Sequence, residues 1–246
     1  MAYEGYKELC RLSSFIRQGR FAVVEIGPVH TQYHIHAALL SKHSKFFKKA
    51  LNGPWKEAKE RVVKLEDVEC ATFDVFTDWL YTQRLPEFYT FNNLRISEKD
   101  CVHAGQAKII KALILAERIL APKFRQTIME SLASDMICHG TPASYTAITT
   151  AFEQLPKENH VLRLLIHVQC AFYRPREYDN GVADLQNIRL PNEFLVGVIM
   201  RYAEILASPQ ESIDLNPLDY CYDDDEDDED DEDGEDGEDD EDDEAM

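Results

Sequence analysis

The strongest constraint on the fold of this chain is the position of two hydrophobic patterns along it, one typical of strands and the other typical of helices. Apolar runs rich in β-branched residues lie early, at residues 21–26 and 62–65, and predict two short strands; residues 32–35, which follow the Gly27-Pro28 turn, are expected to be the hairpin partner of the first. Farther along, apolar residues recur every three or four positions, which is typical of amphipathic helices. The pattern predicts an α+β protein in which a small sheet flanked by helices is followed by a helical C-terminal extension.

Capping and breaking residues predict the helix boundaries. Ser44 suits the N-cap of a helix that Asn52-Gly53-Pro54 ends, and Pro122 suits the first turn of another helix. Further helices are expected to open at Thr141-Pro142 and at Leu155-Pro156. A last helix is predicted from the apolar stripe that it would carry, which consists of Phe194, Val198, Tyr202 and Ile205.

The net charge of −20 comes from one segment. Residues 223–244 contain twenty acidic residues and two glycines, which leaves 26 acids against 26 Lys and Arg elsewhere. A neutral body lacks the positive field that nucleic acids require, so no direct nucleic acid binding is expected. Carboxylates this dense repel one another, so residues 211–246 are predicted to be a disordered acidic tail. Such a tail either captures basic proteins, in a salt-sensitive way, or serves only as a solubilising segment.

Several classes of protein are disfavoured by what the sequence lacks. The six cysteines are scattered without a C-x-x-C pair, which argues against a disulfide framework or a zinc knuckle. We find no secretory signal and no apolar run of about eighteen residues, so we expect a cytoplasmic or nuclear protein without membrane contact. Nucleotide-binding and hydrolase motifs are also missing. We therefore expect no cofactor and no enzymatic activity.

The residues that fill the predicted elements resemble the BTB/POZ family. The family pattern runs from a strand through H-K-x-x-L-x-x-x-S-x-x-F, F-x-E and a strand ending L-x-D to an aromatic helix end. Residues 35–47, 53–57, 62–67 and 73–82 follow that order and spacing. The resemblance implies a small mixed sheet flanked by helices over residues 20–137, and the layout is similar to short fungal BTB proteins.

The resemblance also divides the chain and implies its kind of function. An N-terminal helix is expected over residues 1–19, and a helical extension over 138–210 would separate the BTB/POZ domain from the tail. The function implied is protein–protein interaction, either as a self-associating scaffold or as a substrate adaptor of a cullin-RING ubiquitin ligase. The alternative is a chromatin-associated dimer whose acidic tail binds histones or other basic proteins.

Two positions depart from the pattern of BTB transcription factors. Those proteins pair an acid in the first strand with a Lys or Arg after the motif histidine, and the charged pocket is linked to co-repressors. Val23 and Ala37 stand at these positions, so the resemblance implies no such pocket here. The motif histidine itself, His36, is expected to order the core and not to catalyse a reaction.

The candidate cullin contact is Trp55 with Glu57. Cullin-binding BTB proteins carry a hydrophobic-x-Glu motif before the third main strand, and Trp55-Lys56-Glu57 stands there. Tryptophan is a strong anchor in a partner's groove, and the carboxylate can pair with a basic residue at the rim. A three-residue pattern also arises by chance, and family members that bind no cullin carry it.

The N-terminal helix supplies a candidate dimer face. Leu9, Leu12, Phe15 and Ile16 share one side of it. In this family such a helix often packs across a two-fold axis, which would make the protein a homodimer. The same stripe could equally cover its own sheet, because periodicity reports burial and not the identity of the partner.

A metal site is not expected. His30, His34 and His36 are close in sequence, and residues two apart on a strand share a face. No acid or cysteine completes the ligand set, and the fold already accounts for His36.

Overall fold

The computed structural model describes residues 19–86, 99–174, 189–207 and 215–221, with the backbone alone for 99–104. The predicted N-terminal helix, including Leu9, Leu12, Phe15 and Ile16, lies outside the described residues, and so does the acidic run 223–244. Among the described helices, none is long and apolar enough to span a membrane.

Three strands form a mixed sheet in the order β2-β1-β3: β1 (Phe21–Ile26), β2 (Thr31–His36) and β3 (Val62–Leu65). β1 and β2 are an antiparallel hairpin, whereas β3 runs parallel to β1. Alternate residues of β1 point into the core, because successive side chains of a strand face opposite sides, and Ala22, Val24 and Ile26 are fully buried. The three predicted strands are confirmed.

Helices make up the remainder of the described fold. They are α1 (Ala37–His43), α2 (Lys45–Asn52), α3 (Lys56–Glu60), α4 (Cys70–Thr82), α5 (Lys99–Arg118), α6 (Pro122–Cys138), α7 (Tyr145–Gln154), α8 (His160–Phe172), α9 (Asn192–Ala207) and a short 3-10 helix (Pro217–Tyr220). The predicted α+β class, with a mixed sheet and C-terminal helices, is confirmed. The short α3 was not predicted, since the sequence indicated only that Asn52-Gly53-Pro54 ends the preceding helix.

Five aromatic side chains occupy the middle of the core. Each is at most 1% exposed, and their rings are in contact from α2 through α4 to α6: Phe47, Phe73, Phe76, Trp79 and Phe124. The indole N–H of Trp79 donates to Thr127 Oγ1 at 3.1 Å, so its polar atom is satisfied within an apolar layer. Burying each large side chain contributes about 1.5–3 kcal/mol.

Ser44 is the N-cap of α2, as predicted, and it also has a second structural role. Its hydroxyl oxygen accepts from the backbone N–H of Phe47 at 3.1 Å, which satisfies a free donor of the first turn. The same hydroxyl donates to the carbonyl of Ile119 at 2.5 Å. The cap therefore also joins α2 to the turn between α5 and α6.

The helical extension shares one hydrophobic core with the sheet and its helices. Buried residues of α7 and α8, such as Ile148 and Leu165, belong to the same cluster as Leu113 of α5. Gln106 of α5 is 1% exposed, and its amide accepts from the N–H of Ser144 at 2.7 Å and donates to the carbonyl of Pro142 at 3.1 Å. The start of the extension is thus fixed to α5.

Two predicted helix starts are wrong by several residues. The helix expected at Thr141-Pro142 begins at Tyr145, because Gln106 holds residues 142–144 extended and Ser144 becomes the N-cap. The helix expected at Leu155-Pro156 begins at His160, since Asn159 caps it through the N–H of Val161.

The predicted start of the acidic tail at residue 211 is also too early. Residues Pro217–Tyr220 form the 3-10 helix, which packs on α6 and α8, and Tyr220 is 3% exposed. Pro217, Leu218 and Tyr220 distinguish this segment in composition from the run of carboxylates that begins at Asp223, but the prediction placed both in one tail.

Candidate protein-interaction surfaces

Trp55 lies on the surface at the junction of α2 and α3. It is the N-cap residue of α3, and its side chain is 63% exposed. Its indole lies over Gly53, because a Cβ added to Gly53 would come within 2.6 Å of Trp55 Cδ1 and 2.7 Å of the Lys49 carbonyl oxygen. The glycine therefore lets the indole fold back against the end of α2, so that its orientation is restricted although most of its surface is open.

Glu57 lies in the first turn of α3 and is exposed. Within the described residues it takes part in no ion pair, whereas Lys56 and Glu60 pair across one turn at 3.5 Å. The carbonyl of Arg61 accepts from the N–H of Val23 at 2.8 Å, which ties the end of α3 to the sheet. An exposed aromatic ring and a free carboxylate thus stand two residues apart on a fixed surface element, which is the chemistry of an anchor beside a charged rim.

The outer face of the sheet is polar, with an ion pair at its middle. Lys64 lies 3.1 Å from Glu25 and lowers the pKa of that carboxyl through a hydrogen bond. Val23, on the same face, is paired with His34 and Val62 and is half-buried. The position at which the resemblance to BTB transcription factors would place an acid thus holds an aliphatic side chain.

The three histidines considered as metal ligands have separate surroundings. His36 Nδ1 lies 2.8 Å from the hydroxyl of Tyr81, and its ring packs on Phe21, so His36 has the structural role predicted for it. His30 is in the hairpin turn, 3.4 Å from Glu25. Across the described residues, no three His, Cys, Asp or Glu side chains are grouped as a metal site.

The root of the acidic tail is held by a polar contact that sequence reasoning missed. Tyr220 Oη lies 2.6 Å from His167 Nδ1, and the guanidinium of Arg163 lies 5.4 Å from the centre of the Tyr220 ring. Arg163 also donates to the carbonyl of Asp219. Burial, together with Arg201 and Arg163, lowers the pKa of His167 to about 4, so its imidazole is neutral at physiological pH.

α9 presents a second surface that sequence reasoning missed. The stripe predicted from its sequence contains the buried Phe194, but the opposite side of the helix is apolar as well. Large side chains that are at least 42% exposed cover that side: Leu195, Val196, Ile199, Met200 and Leu206. The sequence does contain a signal for this surface, because apolar residues occur on all sides of the helix. That pattern is unusual for a helix with one side exposed to solvent.

Comparison with known protein families identifies the part of the chain that contains the sheet. No curated protein matches the sequence of the chain. The family model for the BTB/POZ domain matches residues 20–98, which begin at β1 and include the sheet, Trp55 and Glu57. The chain therefore carries a BTB/POZ domain, a protein-interaction domain, over residues 20–98.

Proposed function

We propose that this chain is a substrate adaptor of a cullin-RING ubiquitin ligase, acting in the cytoplasm or nucleus. Its BTB/POZ domain binds the cullin through Trp55 and Glu57, and its C-terminal helices hold the substrate. The observation that carries the proposal is the exposure of Trp55, 63% of whose side chain faces solvent within the family's interaction domain.

The presentation of Trp55 favours binding. An indole that already lies over Gly53 loses little conformational freedom when a partner covers it, so more of the buried area appears as affinity. Tryptophan is among the residues that dominate interface energies when they fill a partner's groove. Glu57 adds a carboxylate that a lysine or arginine of the cullin can pair with.

Binding of the full-length chain to a purified cullin N-terminal region tests the proposal. Trp55→Ala is expected to weaken binding at least tenfold, because hot-spot truncations cost about 2 kcal/mol or more. Glu57→Ala is expected to have a smaller effect that shrinks as salt is raised. Val29→Ala is the matched control, since Val29 is 82% exposed in the β1–β2 turn. If the wild type and the three variants were all recovered only at background level, the proposed adaptor function would be wrong.

Self-association is a further part of the proposal. We assign a homodimer contact to the predicted N-terminal helix, through Leu9, Leu12, Phe15 and Ile16. Leu12→Glu would halve the mass of a dimer formed in this way. The mass stays unchanged if the stripe covers its own sheet.

A second candidate function rests on the tail. Twenty carboxylates within residues 223–244 form a polyanion that begins three residues after the anchored Tyr220, so its position relative to the folded part is fixed at one end. The candidate is a chromatin-associated protein whose tail binds histones. Deleting residues 223–246 is expected to abolish histone binding at low salt. Unchanged binding after the deletion would leave the tail without this role.

A further inference from the structure

The inner side of α9 is fully used in packing against the extension. Phe194 is 2% exposed, and its ring contacts Phe152 of α7 at 5.6 Å between centroids. A Cβ at Gly197 would come within 2.4 Å of Ile166, so the backbone of α9 lies directly against α8. Arg201, one turn on, is half-buried and pairs with Glu204 at 3.0 Å. This side already accounts for the position of the helix.

The outer side has the pattern of a helix–helix seam. Its residues follow the three-then-four spacing of a coiled-coil heptad, at Val196, Ile199, Ala203 and Leu206. All four are exposed, with values of 58%, 66% and 79% for Val196, Ile199 and Leu206. None of the four is charged, whereas a solvated helix face is normally polar.

This seam is complementary to itself. When two copies of α9 run antiparallel about a two-fold axis, Val196 faces Leu206 and Ile199 faces Ala203. Each layer then pairs a larger side chain with a smaller one, which is how facing positions interdigitate. In a two-fold contact residue i of one copy meets residue j of the other, so one set of side chains must suit both copies; the seam meets this condition and would bury no charge.

The area is sufficient for a specific contact. The exposed fractions of the large apolar side chains leave on the order of 600 Å² of apolar surface on each copy, so two copies could bury at most about 1,200 Å², the lower limit of specific interfaces. We propose that the outer side of α9 is a homotypic interface, on which a second copy of this chain docks antiparallel. This contact lies in the helical extension and is separate from Trp55 and from the predicted N-terminal dimer face.

The first test is the mass of the full-length chain in solution, measured by light scattering without cullin. In a Leu12→Glu background, where the proposed N-terminal contact no longer joins the copies, Ile199→Glu with Leu206→Glu is expected to halve the mean mass. Both side chains are exposed, so helicity and the melting temperature of the separated copies should not fall. The matched control is Val29→Glu with Leu218→Glu, which places two carboxylates on other exposed apolar residues, 82% and 74% exposed. An unchanged mass for the α9 variant would overturn the proposal.

The second test identifies directly which segment covers the outer side of α9. A photo-reactive benzoylphenylalanine at position 206, in a mixture of isotopically light and heavy chains, is expected to cross-link to residues 192–200 of the other copy. A cross-link confined to the same chain would overturn the proposal, because another segment would then cover the seam. So would the absence of any inter-copy cross-link near position 196. A failed cullin assay would leave both readouts unaffected.

Discussion

Gly53 determines how Trp55 is presented at the surface. Its missing side chain leaves the space that the indole and the carbonyl of Lys49 occupy. The φ of Gly53 is −82°, so the constraint is space and not a left-handed backbone. Gly53, which has no side chain, thus restricts the orientation of Trp55, on which the proposed cullin contact depends.

Substituting Gly53 by alanine should therefore displace Trp55. The added methyl group would clash with the indole and with a backbone oxygen, so we expect a loss of about 1–3 kcal/mol in the free energy of unfolding. The loss should be smaller in a Trp55→Ala background, where only the backbone clash remains. Urea unfolding of the two single variants and the double variant measures this difference. Equal losses in both backgrounds would show that the indole does not pack on Gly53.

Gln106 acts at the scale of elements, because it joins α5 to the segment that opens α7. Its side chain satisfies one buried N–H and one buried carbonyl. Asn159 makes a comparable connection, since its amide donates to Glu117 of α5 at 2.7 Å. Together these contacts fix both ends of the α7 region to one helix and explain why the extension has no separate core.

Replacing Gln106 by leucine should loosen this connection. Two buried backbone groups would lose their partners, at about 1–3 kcal/mol each, so we expect a loss of roughly 2–6 kcal/mol in the free energy of unfolding. Hydrogen exchange should accelerate first in α7. Gln126→Leu is the control, since Gln126 bonds only to the exposed Glu130 at 3.1 Å. Equal stability of the two variants would contradict the role of Gln106.

On the scale of the whole molecule, the buried His43 and the half-buried His167 should make the fold sensitive to acid. Burial, with smaller contributions from Lys42 and Lys123, lowers the pKa of His43 to about 4. His167, beside Tyr220, is also lowered to about 4 by its burial and two arginines. Both residues are therefore neutral in the native state well below the ordinary histidine pKa.

Stability should fall as pH drops from about 6.5 towards 4. In this range the histidines of the unfolded chain bind protons, whereas those of the native state stay neutral. The stabilisation is therefore complete above pH 6.5 and is lost on acidification. The loss is roughly 3 kcal/mol for His43 at pH 4. Urea unfolding between pH 7.5 and 5.5 measures the slope. His43→Gln should reduce the slope by up to one proton. The same slope in the wild type and in His43→Gln would contradict the argument.

The sequence by itself determined the strands, the helical stripes and the Ser44 cap. These features depend on periodicity and on residues within one turn of each other, so local patterns carry them. Trp55 and Glu57 were singled out only by the resemblance to the BTB/POZ family, and the structure decided that both are exposed. The tertiary structure decided the start of α7, the anchoring of Tyr220 and the exposure of one side of α9. Each depends on a partner tens of residues away, such as Gln106 for Ser144 or His167 for Tyr220. An apolar stripe in the sequence predicts that one face of a helix is hydrophobic. Only the folded structure shows whether that face is buried or exposed.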